Sequence, residues 1–352
     1  MVVRAAINGF GRIGRIAFRI ALTDYPKDIE ILAINTSGSM DVKGWAHLLK
    51  YDTVYRRFEK NVDIEEVQKP ADVTDQNPLI GYFAVDKKKY PVLAQRDPAK
   101  LPWKKFGVDV VIESTGLFNS EQKARPHIQA GAKKVLLSAP AKGGGVRTYV
   151  LGVNTYNGEG DIISNASCTT NSVAPVAAIM HKKFGVLKAV LTTVHAYTDD
   201  QRLVDNSHKD LRRARGAAQN IIPTTTGAAI AATETIPELK GLFDGIAIRV
   251  PVITGSVSDF TFVTKRRVTV QEVNDAFKDA AKSPAWKTIL GVTEEPIVSS
   301  DIVGTRFSTI VDLSFTKVVD GDLVKVLAWY DNEWAYAVRL IEQAIAVGKT
   351  GS

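Results

Sequence analysis

The chain of 352 residues carries a single cysteine, Cys168. A lone thiol excludes an internal disulfide and fits a reducing cytoplasm, the expected location. No apolar run approaches the roughly 20 residues of a membrane-spanning helix, so no membrane role is expected. Met1-Val2-Val3-Arg4-Ala5-Ala6-Ile7 runs straight into a strand-like segment, which predicts no signal or transit peptide. Repeats of solenoid length and low-complexity tracts are missing too. Histidine is scarce, at five residues. No metal is expected.

What is present is ordinary for a globular protein of two domains: 45% hydrophobic and 24% charged residues. The net charge of +7 fits either an anionic partner or a solvated basic surface. Lys87-Lys88-Lys89 and Lys209-Asp210-Leu211-Arg212-Arg213-Ala214-Arg215 are too short to serve as nucleic-acid arms. The two halves of the chain differ in pattern. Up to about residue 140, strands alternate with helical segments: 3–8, 11–23, 29–35, 108–113, 122–130 and 135–138. That alternation predicts a parallel, doubly wound sheet. Past Cys168, long strands at 187–194, 245–250, 256–264 and 309–315 predict a mostly antiparallel sheet with helices on one face. The expected fold is α/β, an N-terminal Rossmann dinucleotide-binding domain followed by an α+β catalytic domain. The domains expected are 1–167 with 331–352, and 168–330, the closing helix at 333–347 returning to the first.

Gly9-Phe10-Gly11-Arg12-Ile13-Gly14 matches G-x-G-x-x-G after a strand and at the start of a helix. Glycines there allow a tight turn and close approach of backbone to a pyrophosphate at the helix N-terminus. A glycine-rich turn without a ligand is the bland alternative. The acid expected about 20 residues on, where it would hold a ribose 2′-hydroxyl, is missing. Strand 31–35 ends in Thr36-Ser37-Gly38-Ser39, and the first acid is Asp41. Two hydroxyls in place of a carboxylate favour NADP over NAD, or tolerance of both.

Cys168 opens an apolar helical stretch within Ser167-Cys168-Thr169-Thr170-Asn171. A helix N-terminus biases a thiol toward thiolate, although free cysteine is also a common core residue. A nucleophilic thiol needs a base. His195 ends a strand among Thr192, Thr193, Tyr197 and Thr198, whereas His47, His127 and His181 read as surface or helix-packing residues and His208 lies in a polar loop. Pro223-Thr224-Thr225-Thr226-Gly227 precedes a helical run and suits a phosphate. Arg249, in an otherwise apolar strand, is either half of an internal ion pair or an anion ligand.

Residues 7–15 (Ile-Asn-Gly-Phe-Gly-Arg-Ile-Gly-Arg), 138–142, 164–171 (Ser-Asn-Ala-Ser-Cys-Thr-Thr-Asn), 195–198, 210–215 and 329–334 (Trp-Tyr-Asp-Asn-Glu-Trp) come in the order found in phosphorylating glyceraldehyde-3-phosphate dehydrogenases, and the chain resembles that family along essentially its whole length. The resemblance implies oxidation of glyceraldehyde 3-phosphate through a Cys168 thiohemiacetal and thioester, with His195 as base and inorganic phosphate as the second substrate. It implies that Thr198 and Arg249 bind the substrate phosphate, and that Ser167, Thr169, Thr226 and Gly227 line the site of the attacking phosphate. It also implies that Arg12, Ile13, Arg96, Thr115, Ser138 and Asn332 touch the cofactor, and that the protein is a homotetramer. Three positions depart from the family pattern. Thr36 replaces the aspartate of NAD-specific members. Asn206-Ser207 replaces their apolar-Pro pair, and Ser207 resembles NADP-using members, in which a serine helps hold the 2′-phosphate. Ala335 stands where glycine is usual. Erythrose-4-phosphate dehydrogenase is the alternative, opposed by the intact 224–227 segment. A nucleic-acid-binding role on the same fold rests on charge alone, and the Cys168, His195 and phosphate-site pattern sets it aside.

Overall fold

In the computed structural model, which describes residues 1–350, the first apolar run forms a central strand. Val3–Asn8 is buried at every position but Arg4. Burial on both faces is what helices packed on either side of a parallel sheet impose. The sheet has nine strands in the order Arg147–Thr148, Ile162–Ser164, Lys134–Leu137, Val110–Glu113, Val3–Asn8, Ile29–Thr36, Lys88–Ala94, Leu79–Val85 and Val62–Glu66. The first seven pair in parallel. The last two add on antiparallel.

The parallel sheet expected from the sequence is present, with an antiparallel edge of two strands that the sequence reading did not foresee. Its antiparallel edge was hidden by an unusual turn. Asp86 and Lys87 join Leu79–Val85 to Lys88–Ala94 with φ of 48° and 70°, the left-handed pair that a two-residue hairpin needs and that Asp-Gly or Asn-Gly ordinarily announces. The lysine run at this edge is largely paired. Lys88 meets Glu30 at 2.5 Å, and Lys89 meets Glu65.

Residues 1–149, 156–166 and 337 onward form one compact unit, and residues 150–155 with 167–336 form another. Residues 150–155, Ser167 and residues 331–336, which the sequence assigns to the first domain, cluster with the second. The second unit is built on a seven-stranded sheet: Ile222–Thr225, Phe243–Val250, Val186–Ala196, Ser256–Thr264, Leu323–Tyr330, Thr309–Val319 and Leu290–Thr293. Four of its six pairings are antiparallel, and two are parallel. Ser256–Thr264 alternates buried and half-buried residues throughout, the period-two pattern of a sheet covered on one face. Helices Cys168–Phe184, Ala228–Thr235 and Val270–Lys282 supply that cover, the first touching both of the others.

Candidate active site

Cys168 is the first residue of the helix Cys168–Phe184, and Ser167 caps it by accepting the Thr170 N–H at 3.0 Å. His195 is the penultimate residue of strand Val186–Ala196. The helix start and strand end bring Cys168 Sγ to 3.5 Å from His195 Nε2. Sheet register supplies the third member. Strands Val186–Ala196 and Phe243–Val250 run parallel with His195 opposite Arg249, and Arg249 Nη1 lies 2.7 Å from His195 Nδ1 and 2.9 Å from the Ala196 carbonyl. The ion-pair reading of Arg249 fails. Its hydrogen-bond partners, the His195 ring and the Ala196 carbonyl, are neutral, and its Nε is buried with no partner. A half-buried guanidinium with one N–H unmatched suits an incoming anion.

His195 Nδ1 sits between a donor and an acceptor, since the Ala196 carbonyl is 2.6 Å away. The carbonyl favours a proton on Nδ1 and leaves Nε2 free to take one from sulfur. The guanidinium favours the other tautomer, in which Nε2 donates. The same geometry therefore suits the ring to either role, proton acceptor or donor at Nε2. Burial, then the charge of Arg249, holds the imidazole down at about 3, well below its ordinary value, against the raising effect of the Ala196 carbonyl.

The thiol departs from expectation. Its helix terminus is where the sequence puts it, but burial outweighs the lowering effects of Arg249, the Thr169 hydroxyl and nearby backbone N–H groups, and the thiol is pushed up. The free protein thus rests with a neutral thiol facing a neutral imidazole.

Sequence reasoning gave no role to Tyr330, Thr193 or Arg213. Tyr330 ends strand Leu323–Tyr330, and its hydroxyl lies 3.0 Å from Thr169 Oγ1 and 2.9 Å from Thr193 Oγ1. Its ring meets the His195 ring edge-on, with centroids 5.9 Å apart. The imidazole therefore rests on an aromatic wall. Arg213 ties the segment before helix Ala228–Thr235 in place: it donates to Thr224 Oγ1 at 3.0 Å and the Thr225 carbonyl at 3.2 Å, and pairs with Asp200 at 2.5 Å. Tyr330 and Arg213 lay inside distinctive motifs, but their partners come from segments distant in sequence.

The other expected phosphate ligands are in the same unit. Thr198 is half-buried beyond the strand of His195, Thr226 is half-buried with its Oγ1 accepting the Ala228 N–H at 3.2 Å, and Gly227 is exposed at the start of the next helix. Asn332, also of this unit, has its amide oxygen engaged by the Gly255 N–H and the Ser256 hydroxyl, which leaves the Nδ2 amide to donate. Ser207 is exposed in the loop after the strand of His195, and Ala335 is buried.

In the first unit the glycines fit a dinucleotide. Gly9 has φ +97°, and a Cβ there would lie 2.6 Å from the Thr115 nitrogen. A Cβ on Gly14 would lie 2.1 Å from the Gly9 carbonyl oxygen, whereas one on Gly11 would meet nothing within 4 Å. The outer glycines are thus demanded by the fold, and the middle one borders open space, as close backbone approach to a pyrophosphate requires. The Arg12 side chain is engaged by Asp52 at 3.0 Å. Its backbone N–H and that of Ile13 lie in the first turn of helix Arg12–Thr23, at the helix end whose dipole favours an anion. Thr115 and Ser138 follow strands Val110–Glu113 and Lys134–Leu137.

Thr36 is buried and its hydroxyl already donates to the Leu93 carbonyl at 2.9 Å, so it does not offer the donor expected of it. Ser37, with its Oγ 2.9 Å from Ser39 Oγ, is exposed, and the exposed Arg96 lies 3.4 Å from the Ser37 carbonyl. His127 is not a surface or simple packing residue but is fully buried in a polar network. Among the described residues no cluster of His, Cys, Asp and Glu is placed to hold a metal.

A glycine turn of the dinucleotide-binding kind in one unit, and a thiol–imidazole pair backed by an arginine in the other, are features of the dinucleotide-dependent oxidoreductases. Residues 3–121 match the glyceraldehyde 3-phosphate dehydrogenase NAD binding domain, and residues 167–332 match the C-terminal domain of the same enzymes. The chain is 52% identical over 351 residues to glyceraldehyde-3-phosphate dehydrogenase of Streptomyces coelicolor, covering 99% of each chain. To the Thermotoga maritima enzyme of that name it is 52% identical over 343 residues, 97% of this chain and 98% of the other. To glyceraldehyde-3-phosphate dehydrogenase A, chloroplastic, of Chlamydomonas reinhardtii it is 47% identical, over 99% of this chain and 89% of the other. The chain belongs to the glyceraldehyde-3-phosphate dehydrogenase family.

The His195 shift sets a pH dependence. A histidine with a folded pKa below its unfolded value contributes stability above about pH 6.5 that is lost as pH falls, because the unfolded chain binds the extra proton. The stability advantage of the wild type over His195→Gln is expected to shrink by ~1 kcal/mol per pH unit below pH 6, read from urea unfolding at pH 7, 6 and 5. A gap that stays constant contradicts the neutral, buried imidazole.

Proposed function

We propose that the chain catalyses the reversible phosphorylating oxidation of D-glyceraldehyde 3-phosphate to 1,3-bisphosphoglycerate, using NADP in preference to NAD, as a cytoplasmic homotetramer. The observation that carries the chemistry is the alignment of Cys168 Sγ, His195 and Arg249 at 3.5 and 2.7 Å. Arg249 and Thr198 hold the substrate phosphate. Its negative charge offsets the guanidinium that depresses His195, so the imidazole becomes a better base when substrate is bound. Cys168 Sγ then bonds to the aldehyde carbon, and the thiol proton passes through Nε2 to the aldehyde oxygen. The Cys168 N–H and His195 Nε2–H steady that oxygen while it is negative; one such donor is worth ~3 kcal/mol. The Gly9–Gly14 turn would hold the dinucleotide, which when bound would supply the hydride acceptor. His195 takes the hydroxyl proton as the C=O of the thioester forms. Inorganic phosphate, held by Thr169, Thr226 and Gly227, attacks that carbon, and the thiolate leaves.

The NADP reading is supported by the charge at the end of strand Ile29–Thr36. Thr36 stands where an acid would repel a 2′-phosphate. The nearest following acid, Asp41, is turned away as the cap of helix Val42–Lys50, accepting the Gly44 N–H at 2.7 Å. Ser37, Ser39 and Arg96 are the donors at hand, and Ser207 supplies a further hydroxyl. Assembly is supported by the bare outer face of the second sheet, where Val190 and Ile246 are 61% and 52% exposed. Exposed apolar residues on one sheet face suit a second subunit. Cytoplasmic location rests on the free Cys168, which suits reducing surroundings. Among the described residues no helix is long and apolar enough to cross a membrane.

Two assays test the proposal. Steady-state turnover is expected to collapse when inorganic phosphate is omitted; undiminished turnover would overturn the phosphorylating reaction and favour the erythrose-4-phosphate alternative. The kcat/KM with NADP⁺ is expected to exceed that with NAD⁺, and Thr36→Asp to reverse the order. A clear NAD⁺ preference in the unmodified chain refutes the cofactor reading.

A further inference from the structure

Glu113, the last residue of strand Val110–Glu113, is buried and accepts hydrogen bonds from three separate segments. Its Oε1 takes the Thr115 N–H at 2.8 Å and the Thr115 hydroxyl. Its Oε2 takes Asn8 Nδ2 at 2.5 Å and faces His127 Nε2 at 3.1 Å. On the far side of the imidazole, the indole N–H of Trp103 points at His127 Nδ1 from 3.0 Å. An indole nitrogen only donates, so Nδ1 must accept and the ring proton sits on Nε2, aimed at the carboxylate. The opposite tautomer would set two donors against each other at Trp103 and two acceptors against each other at Glu113. Trp103 thereby fixes the tautomer of His127, and His127 fixes Glu113.

The network continues outward. Asn8 Oδ1 accepts Asn35 Nδ2 at 2.6 Å, and Asn35 Oδ1 accepts the Gln95 N–H at 3.0 Å. Each end therefore abuts a residue assigned to the dinucleotide: Asn8 precedes Gly9, Asn35 precedes Thr36, Gln95 precedes Arg96, and Thr115 is itself one.

Resting on the dinucleotide-binding reading, we propose that His127, locked by Trp103, is a positioning residue for the cofactor, setting through Glu113 the relative placement of the Gly9 turn and the Thr115 loop. Packing alone makes a different prediction, because phenylalanine fills the ring's place and glutamine does not. His127→Phe is expected to raise the dinucleotide Kd about tenfold, and His127→Gln, which restores an N–H donor, to stay within about threefold of wild type. The KM for the aldehyde substrate should stay within about twofold in both, since nothing in the network belongs to the unit holding Cys168. Titration calorimetry with NAD⁺ and NADP⁺ on the full-length wild type and variants reads this directly. Unchanged affinity in His127→Phe, or equal losses in Phe and Gln variants, overturns the proposal. Should His127→Phe not fold, Trp103→Phe removes the indole N–H together with part of a buried ring, and is expected to weaken dinucleotide binding about threefold; no change there overturns the proposal equally. A wild type that binds no dinucleotide sinks the cofactor reading itself, and this proposal with it.

Discussion

The second unit is arranged around one short approach, that of Cys168 Sγ to His195 Nε2 at 3.5 Å. Neither residue is unusual alone. A helix start delivers the sulfur, a strand end delivers the ring, and the Ser167 cap and the Tyr330 ring restrain each from behind. Reactive chemistry needs that restraint, because a loose pair would sample many separations of which few are productive. Arg249 is set by register and needs no loop to place it, being the residue opposite His195 on the adjoining parallel strand.

The electrostatics of the pair run against simple activation. Burial raises the thiol and depresses the imidazole, and Arg249 favours the thiolate while opposing the imidazolium. The resting site is therefore neutral and quiet, and in the proposed mechanism an anion meeting the guanidinium relieves the part of the His195 depression that comes from Arg249. A site of this kind protects its only thiol from chance oxidation, which follows thiolate character.

Much of the architecture was legible because it depends on local pattern. Burial of Val3–Asn8 on both faces, the glycine turn and the alternation in Ser256–Thr264 all follow from period and composition. What escaped depends on long-range placement. The antiparallel edge at residues 62–94 turns on Asp86-Lys87, whose left-handed backbone no glycine announces. Thr36 was legible as a missing acid but not as a hydroxyl already committed to Leu93. The thiol was legible at its helix terminus, but the burial that reverses its shift belongs to the packed protein. Likewise His127 carries no local sign of the indole and carboxylate that flank it.

The central claim is that Cys168 bonds to the substrate carbon and is discharged by phosphate. Intact-mass spectrometry of the full-length protein mixed with glyceraldehyde 3-phosphate and NADP⁺, without phosphate, tests it most directly. The account predicts one acyl adduct per chain, mapping to Cys168 and lost on adding phosphate. Reduction of the dinucleotide with no adduct, or an adduct on any other residue, would contradict it.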